Sequence, residues 1–137
     1  MTQIKYPWFN QYDPQVPQHL TYPDVTLDWF LDSAAEKYAD RASCVFMGAS
    51  LSYGDLRRLV ENLAGQLIRQ GMKIGDRVAV ILPNCPQFIL AFYAIAKAGG
   101  VVVAINPAYK EAELSFQLVD SGARFVIALE SHVNLIQ

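Results

Sequence analysis

Apolar residues recur along this chain at two different periods, and the switches between them divide it into elements. From Leu27 the apolar positions are Leu27, Phe30, Leu31, Ala34, Ala35 and Tyr38, the spacing of one helix face. Thr26 stands where an N-cap belongs. Ala42 to Met47 then reads as a strand, Gly48-Ala49 as a tight turn and Ser50 to Ser52 as the returning strand of a hairpin. Ser52-Tyr53-Gly54-Asp55 has the form of a capping box with Asp in place of the usual Glu or Gln. The helix it opens turns Leu56, Leu59, Val60, Leu63, Leu67 and Ile68 inward and stops at Gly71.

Beyond Gly71 the pattern repeats. Arg77 to Leu82 is a continuous apolar run behind the turn Gly75-Asp76, the mark of a strand buried on both faces. Pro86 suits a first helical position, and the helix Pro86 to Ala98 is apolar nearly all round. Such a helix is expected to be buried all round, with Phe88, Phe92 and Ile95 in the core. Gly99-Gly100 ends it, Val101 to Ile105 is the next strand, and Asn106-Pro107 breaks that strand. Lys110 to Ser121 reads as an amphipathic helix with Leu114, Leu118 and Val119 inside, closed by Gly122. Arg124 to Leu129 is a last strand, and Glu130 to Gln137 begins an element that it does not finish. The fold class is therefore α/β: a βαβαβ unit, hence a parallel sheet with right-handed crossovers, preceded by a helix and a β-hairpin.

Residues 1–25 differ from the rest. Tyr6, Pro7, Trp8, Phe9, Tyr12, Pro14, Pro17, Tyr22 and Pro23 make an arm too rich in proline for a regular helix or a central strand. Its aromatics are expected to lay it as an extended strap against the folded body. Two parts follow: an arm over 1–25 and an incomplete α/β subdomain over 26–137.

Composition narrows the partners. Of 137 residues 53% are hydrophobic and 18% charged, below the quarter or so usual for a self-contained soluble domain. Surfaces that another body covers are the expected consequence, and self-association follows if nothing else covers them. With 11 basic and 13 acidic residues, a net charge of −2 and no basic stripe, nucleic acid is excluded as a partner. No cationic segment followed by an apolar core opens the chain, and the greasy stretch from Phe88 to Ile105 is interrupted by Lys97 and Gly99-Gly100. It reads as a buried helix and strand, not as a transmembrane span. Cys44 and Cys85 lack metal-site spacing and read as free thiols in a reducing, cytoplasmic compartment, Cys85 serving as a helix-boundary residue.

Catalytic chemistry finds no foothold. A dinucleotide site needs glycines after a strand and before a helix. The connection after the first parallel strand is Pro83-Asn84-Cys85-Pro86, and the glycine pair lies at the wrong end of the helix. No P-loop is present, and none of Ser33, Ser43, Ser52, Ser115, Ser121 and Ser131 sits in a nucleophile-elbow pattern. His19 and His132 read as surface histidines. Asp24, Asp28, Asp32, Asp40, Asp55 and Asp76 read as caps, turns or solvated faces. No catalytic, cofactor-binding or metal-ligating residue is assigned, and the substrate-contacting residues are unknown.

Four blocks carry a resemblance: Leu51-Ser52-Tyr53-Gly54-Asp55-Leu56, Gly75-Asp76-Arg77-Val78-Ala79, Leu82-Pro83-Asn84-Cys85-Pro86, and the run Lys97 to Pro107, with Asp120-Ser121-Gly122-Ala123-Arg124 following. In this order and spacing they resemble the first blocks of the adenylate-forming (AMP-binding) superfamily: acyl-CoA synthetases, luciferases and peptide-synthetase adenylation domains. Tyr6-Pro7-Trp8, His19-Leu20-Thr21-Tyr22-Pro23, Asn106-Pro107-Ala108-Tyr109 and Glu113-Leu114 look most like bacterial long-chain fatty-acid–CoA ligases. The resemblance implies part of the N-terminal subdomain of that fold. For a full-length enzyme it implies ATP, Mg²⁺, CoA and a fatty acid, with adenylation followed by thioester formation. The triphosphate loop, the ribose-holding aspartate and the adenylate-contacting lysine of that family lie beyond the matched segment. This chain is therefore expected to need no cofactor of its own and to be inactive when isolated. The alternative is a stand-alone α/β binding module derived from the same fold.

Overall fold

The computed structural model describes residues 6–136; the first five residues of the arm and Gln137 lie outside them. Five α-helices and five strands follow the arm. They are α1 (Leu27–Tyr38), β1 (Ala42–Phe46), β2 (Ala49–Ser52), α2 (Tyr53–Arg69), β3 (Arg77–Ile81), α3 (Pro86–Lys97), β4 (Val101–Ala104), α4 (Glu111–Ser121), β5 (Phe125–Ala128) and the short α5 (Val133–Ile136). Strands β1 and β2 form an antiparallel pair, and the other three form a separate sheet in the order β4-β3-β5. Both pairings within that sheet are parallel, with Val78 level with Val102 on one side and Phe125 on the other.

The alternation of side chains along β3 builds the layers. Val78 and Val80 join one apolar cluster with Val60, Leu67, Ala91, Ala94 and Ile95 of α2 and α3. Ala79 and Ile81 join another with Ile105 and Leu114. Successive strand residues point to opposite faces, so α2 and α3 cover one face of the sheet and α4 the other. Right-handed crossovers leaving β3 in one direction and returning past it in the other require that arrangement.

The hairpin turn lies one residue earlier than the sequence suggests. Phe46 pairs with Ala49, and the two central residues are Met47 and Gly48, with φ of 49° and 81°. A two-residue hairpin turn of this hand needs positive φ at both positions. Placing the turn at Gly48-Ala49 would have forced Ala49 out of the ladder, and the exposed Met47 accepts the left-handed conformation instead. Ser52 caps α2 as expected, its Oγ accepting the Asp55 N–H at 3.1 Å, but the reciprocal bond of a capping box to the Ser52 backbone N–H is replaced by one to its side chain. Asp55, a methylene shorter than Glu, reaches the Ser52 hydroxyl at 2.9 Å.

Several expected inward residues are exposed. Ile68 of α2 and Val119 of α4 face outward at 55% and 79% exposure, and Leu27, Phe30 and Tyr38 of α1 are exposed while Leu31 and Ala35 are buried. Each of these helices packs over only part of its apolar stripe. Nor is α3 buried all round: Ala91, Ala94 and Ile95 are buried, whereas Phe88 and Phe92 are half-buried. Thr26 occupies the N-cap of α1 without a side-chain hydrogen bond.

The described part of the arm, residues 6–25, is also not a strap buried against the body. Pro7–Gln11 forms one 3-10 turn, for which Pro7 supplies a fixed φ and no needed donor. Its aromatics pack on one another, Phe9 lying 5.3 Å from Tyr6, 5.5 Å from Tyr12 and 5.2 Å from His19 between ring centroids. Apart from half-buried Phe9, residues 6–27 are exposed. Among the described residues, no helix is long and apolar enough to cross a membrane.

Burial ranks the residues of α3. Ile95→Ala is expected to cost about 2–5 kcal/mol, because Ile95 is fully enclosed between α2 and β3. Phe92→Ala is expected to cost less despite deleting more atoms, since part of the ring already meets water. Reversible urea unfolding of the two variants checks the order; an equal or larger loss for Phe92→Ala would mean that its ring is enclosed.

Candidate functional site

In a parallel α/β sheet the connections leaving the carboxyl ends of the strands form the ligand-binding rim, above all where successive crossovers depart to opposite faces. Here that point lies between β3 and β5. Its loops are Leu82 to Cys85 after β3, Ile105 to Lys110 after β4 and Leu129 to His132 after β5. Asn106 folds the second loop by accepting the Ala108 N–H on Oδ1 at 2.9 Å.

His132 joins two of these loops. Its Nε2 lies 2.7 Å from the Pro107 carbonyl oxygen, and Ser131 Oγ lies 3.3 Å from its Nδ1. A carbonyl only accepts, so Nε2 carries a proton, and in the neutral ring Nδ1 then accepts from the serine hydroxyl. His132 is thus a half-buried tie between the β4 and β5 loops, not the surface histidine that its place near the chain end suggests. No sequence signal marks that contact, because its acceptor is a backbone atom. His19 packs edge-on against Phe9 in the exposed arm.

Several serines and carboxylates brace the framework. Ser43 Oγ donates to the Leu51 carbonyl, Ser121 Oγ donates to the Leu118 carbonyl, and Ser52 caps α2. Asp28 and Asp32 are not solvated-face residues: Lys97 Nζ lies 2.6 Å from Asp32 Oδ2 and 3.9 Å from Asp28 Oδ2. That ion pair ties α1 to the last turn of α3. Among the described residues, no three His, Cys, Asp or Glu side chains converge to hold a metal ion.

Asp76 organises the amino end of the sheet. Its Oδ2 accepts the Lys73 N–H at 2.8 Å, and both carboxylate oxygens accept from Arg124 at 2.9 Å. These contacts hold its pKa below the ordinary value, the Lys73 N–H contributing most and the Arg124 guanidinium next. Arg58, then Ser52, do the same for Asp55. A general acid needs its pKa raised towards neutrality; both of these carboxylates are driven the other way.

The glycine pair is a packing device, as its position after a helix suggests. A Cβ on Gly99 would stand 2.9 Å from Ile74 Cγ1, and one on Gly100 would stand 2.9 Å from both Ile95 Cγ2 and Met72 Cε. The space lets the loop before β3 close on the end of α3, where the Gly75 N–H donates to the Gly99 carbonyl at 2.8 Å.

One concave region lies between the hairpin and the start of α3. A cleft of about 380 Å³ is lined by Cys44, Phe46, Leu51, Leu59, Pro86 and Leu90, among others. A neighbouring cleft of about 320 Å³ shares Cys44, Phe46 and Pro86 and reaches Asn84, Cys85 and Phe88. No charged side chain lines either one. The pair can hold apolar groups and offers nothing to neutralise a phosphate.

The AMP-binding enzyme family profile matches residues 31–137. The chain is 38% identical over 128 residues to a long-chain-fatty-acid–CoA ligase of Bacillus subtilis, covering 93% of this chain and 23% of that one. Its identity to the long-chain-fatty-acid–CoA ligase of Salmonella typhimurium is 35% over 137 residues, covering 98% and 24%. The fold superposes on the inhibitor-bound N-terminal domain of FACL13 from Mycobacterium tuberculosis with a TM-score of 0.76 and 32% identity, covering 81% of this chain and 28% of that chain. The chain thus spans about a quarter of the length of the curated relatives it matches.

The Asp76 contacts carry a pH dependence of known sign. Folding lowers this pKa, so its stabilisation is complete above the ordinary value of 3.8 and is lost as pH falls through the lower folded-state value. Asp76→Asn is expected to lower the urea midpoint at neutral pH, with the gap to the parent chain narrowing below about pH 4. A gap that stays constant down to pH 3 would mean that these contacts contribute nothing through the charge.

Proposed function

The chain belongs to the AMP-binding enzyme family, and we propose that it forms part of the N-terminal domain of an ATP-dependent long-chain fatty-acid–CoA ligase. In such an enzyme a fatty-acid carboxylate attacks the α-phosphate of ATP, giving acyl-adenylate and pyrophosphate. The CoA thiol then attacks the acyl carbonyl and AMP departs. The observation that carries this reading is the 38% identity over nearly the whole chain to a long-chain-fatty-acid–CoA ligase.

The described residues do not fit a nucleoside triphosphate or its divalent ion. The β3–α3 connection has no glycine to bring backbone N–H groups onto a phosphate, and no three His, Cys, Asp or Glu side chains among the described residues converge for a metal ion. No step of the reaction is therefore assigned to a residue of this chain. Its part is structural: β3 and its flanking helices set the positions of the carboxyl-end loops. Two free thiols suit a reducing compartment, which supports placing the enzyme in the cytoplasm.

The isolated chain is expected to give no acid-dependent ATP–pyrophosphate exchange and no acyl-CoA. Turnover that scales with chain concentration through successive purification steps would overturn the inactivity and assign the chain a catalytic site of its own. Self-association is expected as well. Leu27, Trp29 and Phe30 on α1, Phe116 and Val119 on α4 and Val126 on β5 are exposed, and β4 and β5 are the sheet's edges. Sedimentation velocity should resolve a dimer that grows with concentration. A single monomer at high micromolar concentration, without dye binding to apolar surface, would favour a self-contained binding module.

A further inference from the structure

The chain has two cysteines, far apart in sequence, and both line one cleft. We propose that Cys44 and Cys85 form a redox-responsive dithiol that closes to an intramolecular disulfide by exchange with a small disulfide of the glutathione class. This proposal does not depend on the ligase reading.

The placement follows from the hairpin and from α3. Cys44 pairs directly with Leu51 across β1 and β2, and directly opposed residues project from the same face of a ladder. Leu51 packs against the α2–α3 core, so that face of the hairpin looks inward, and the neighbouring Val45 is 69% exposed on the other. Cys85 is the N-cap residue of α3 and packs against the same core. Both cysteines are unbonded and half-buried, and both line the cleft of about 320 Å³ that Phe46, Asn84, Pro86 and Phe88 also wall. No charged group lines that cleft, so the thiols are its reactive groups.

The exchange balances without another reactant. One protein thiolate attacks the S–S bond of the small disulfide, forming a mixed disulfide and releasing one small thiolate. The second protein thiolate attacks the protein sulfur of that mixed disulfide, forming the Cys44–Cys85 bond and releasing the other small thiolate. Two protein thiols are oxidised, the small disulfide is reduced to two thiols, and the two protons pass to the departing thiolates. The new bond would staple the hairpin to the start of α3 and shut the cleft.

The test separates proximity imposed by the fold from chance encounter along the chain. The 137-residue chain is incubated with glutathione disulfide, acid-quenched and weighed by mass spectrometry, once folded and once in guanidinium. In the unfolded chain a loop of about 40 residues holds the thiols at an effective concentration on the order of millimolar. The folded chain is expected to form the adduct-free internal disulfide, losing two hydrogens, with a ratio of disulfide to adduct at least about tenfold above that in guanidinium. Cys44→Ser and Cys85→Ser should each stop at one mixed adduct, and circular dichroism verifies that both variants are folded. Accumulation of two adducts, an adduct at one thiol only, no reaction at either, or a ratio no higher than in guanidinium would each overturn the proposal.

Discussion

The burial of β3 on both faces is the constraint from which the rest of this structure follows. Val78, Ala79, Val80 and Ile81 are each at 0% exposure, with hydrogen-bonded neighbours on either side. A strand so placed excludes water only if the chain supplies a helical layer above and another below. The first crossover lays α3 on the face already occupied by α2. The second runs past β3 and lays α4 on the opposite face, so the order β4-β3-β5 is the one that covers both.

The two ends of that sheet are finished differently. At the amino end, Asp76 holds Lys73 and Arg124, and the Arg77 guanidinium donates to the Gly122 carbonyl at 3.3 Å. Gly99 and Gly100 let the neighbouring loop close against α3. The carboxyl end carries the loops after β3, β4 and β5, and His132 ties the last of these to the β4 loop. A braced amino end and a loop-bearing carboxyl end is the division of labour that α/β enzymes use.

Ion pairs between elements add to the cohesion of the fold. The Lys97 contacts to Asp32 and Asp28 fix α1, yet α1 still presents Leu27, Trp29 and Phe30 to water. Three partly exposed charges contribute modestly, so the position of α1 rests more on Leu31 and Ala35, which are buried. The apolar area left over is consistent with the low charged fraction of the composition and with the short span of the relatives that this chain covers.

What the sequence determined by itself was local. The apolar run of β3, Ser52 at the start of α2, Pro86 at the start of α3, and Gly71 and Gly122 at helix ends state each element's type and limits, because caps and periodicity act within a turn or two. The family was legible for a related reason, since its blocks are these same caps and turns. Tertiary structure alone decided which apolar residues are covered. Ile68, Phe92 and Val119 match the period of their helices yet meet water, because periodicity defines a face and only a neighbouring element covers it. It alone decided the non-local contacts too: Lys97 with Asp32, Asp76 with Arg124, His132 with a backbone carbonyl, and Cys44 beside the cleft of Cys85. Each joins residues from different elements, and their separation in space is set by how β3 is covered and not by any spacing along the chain.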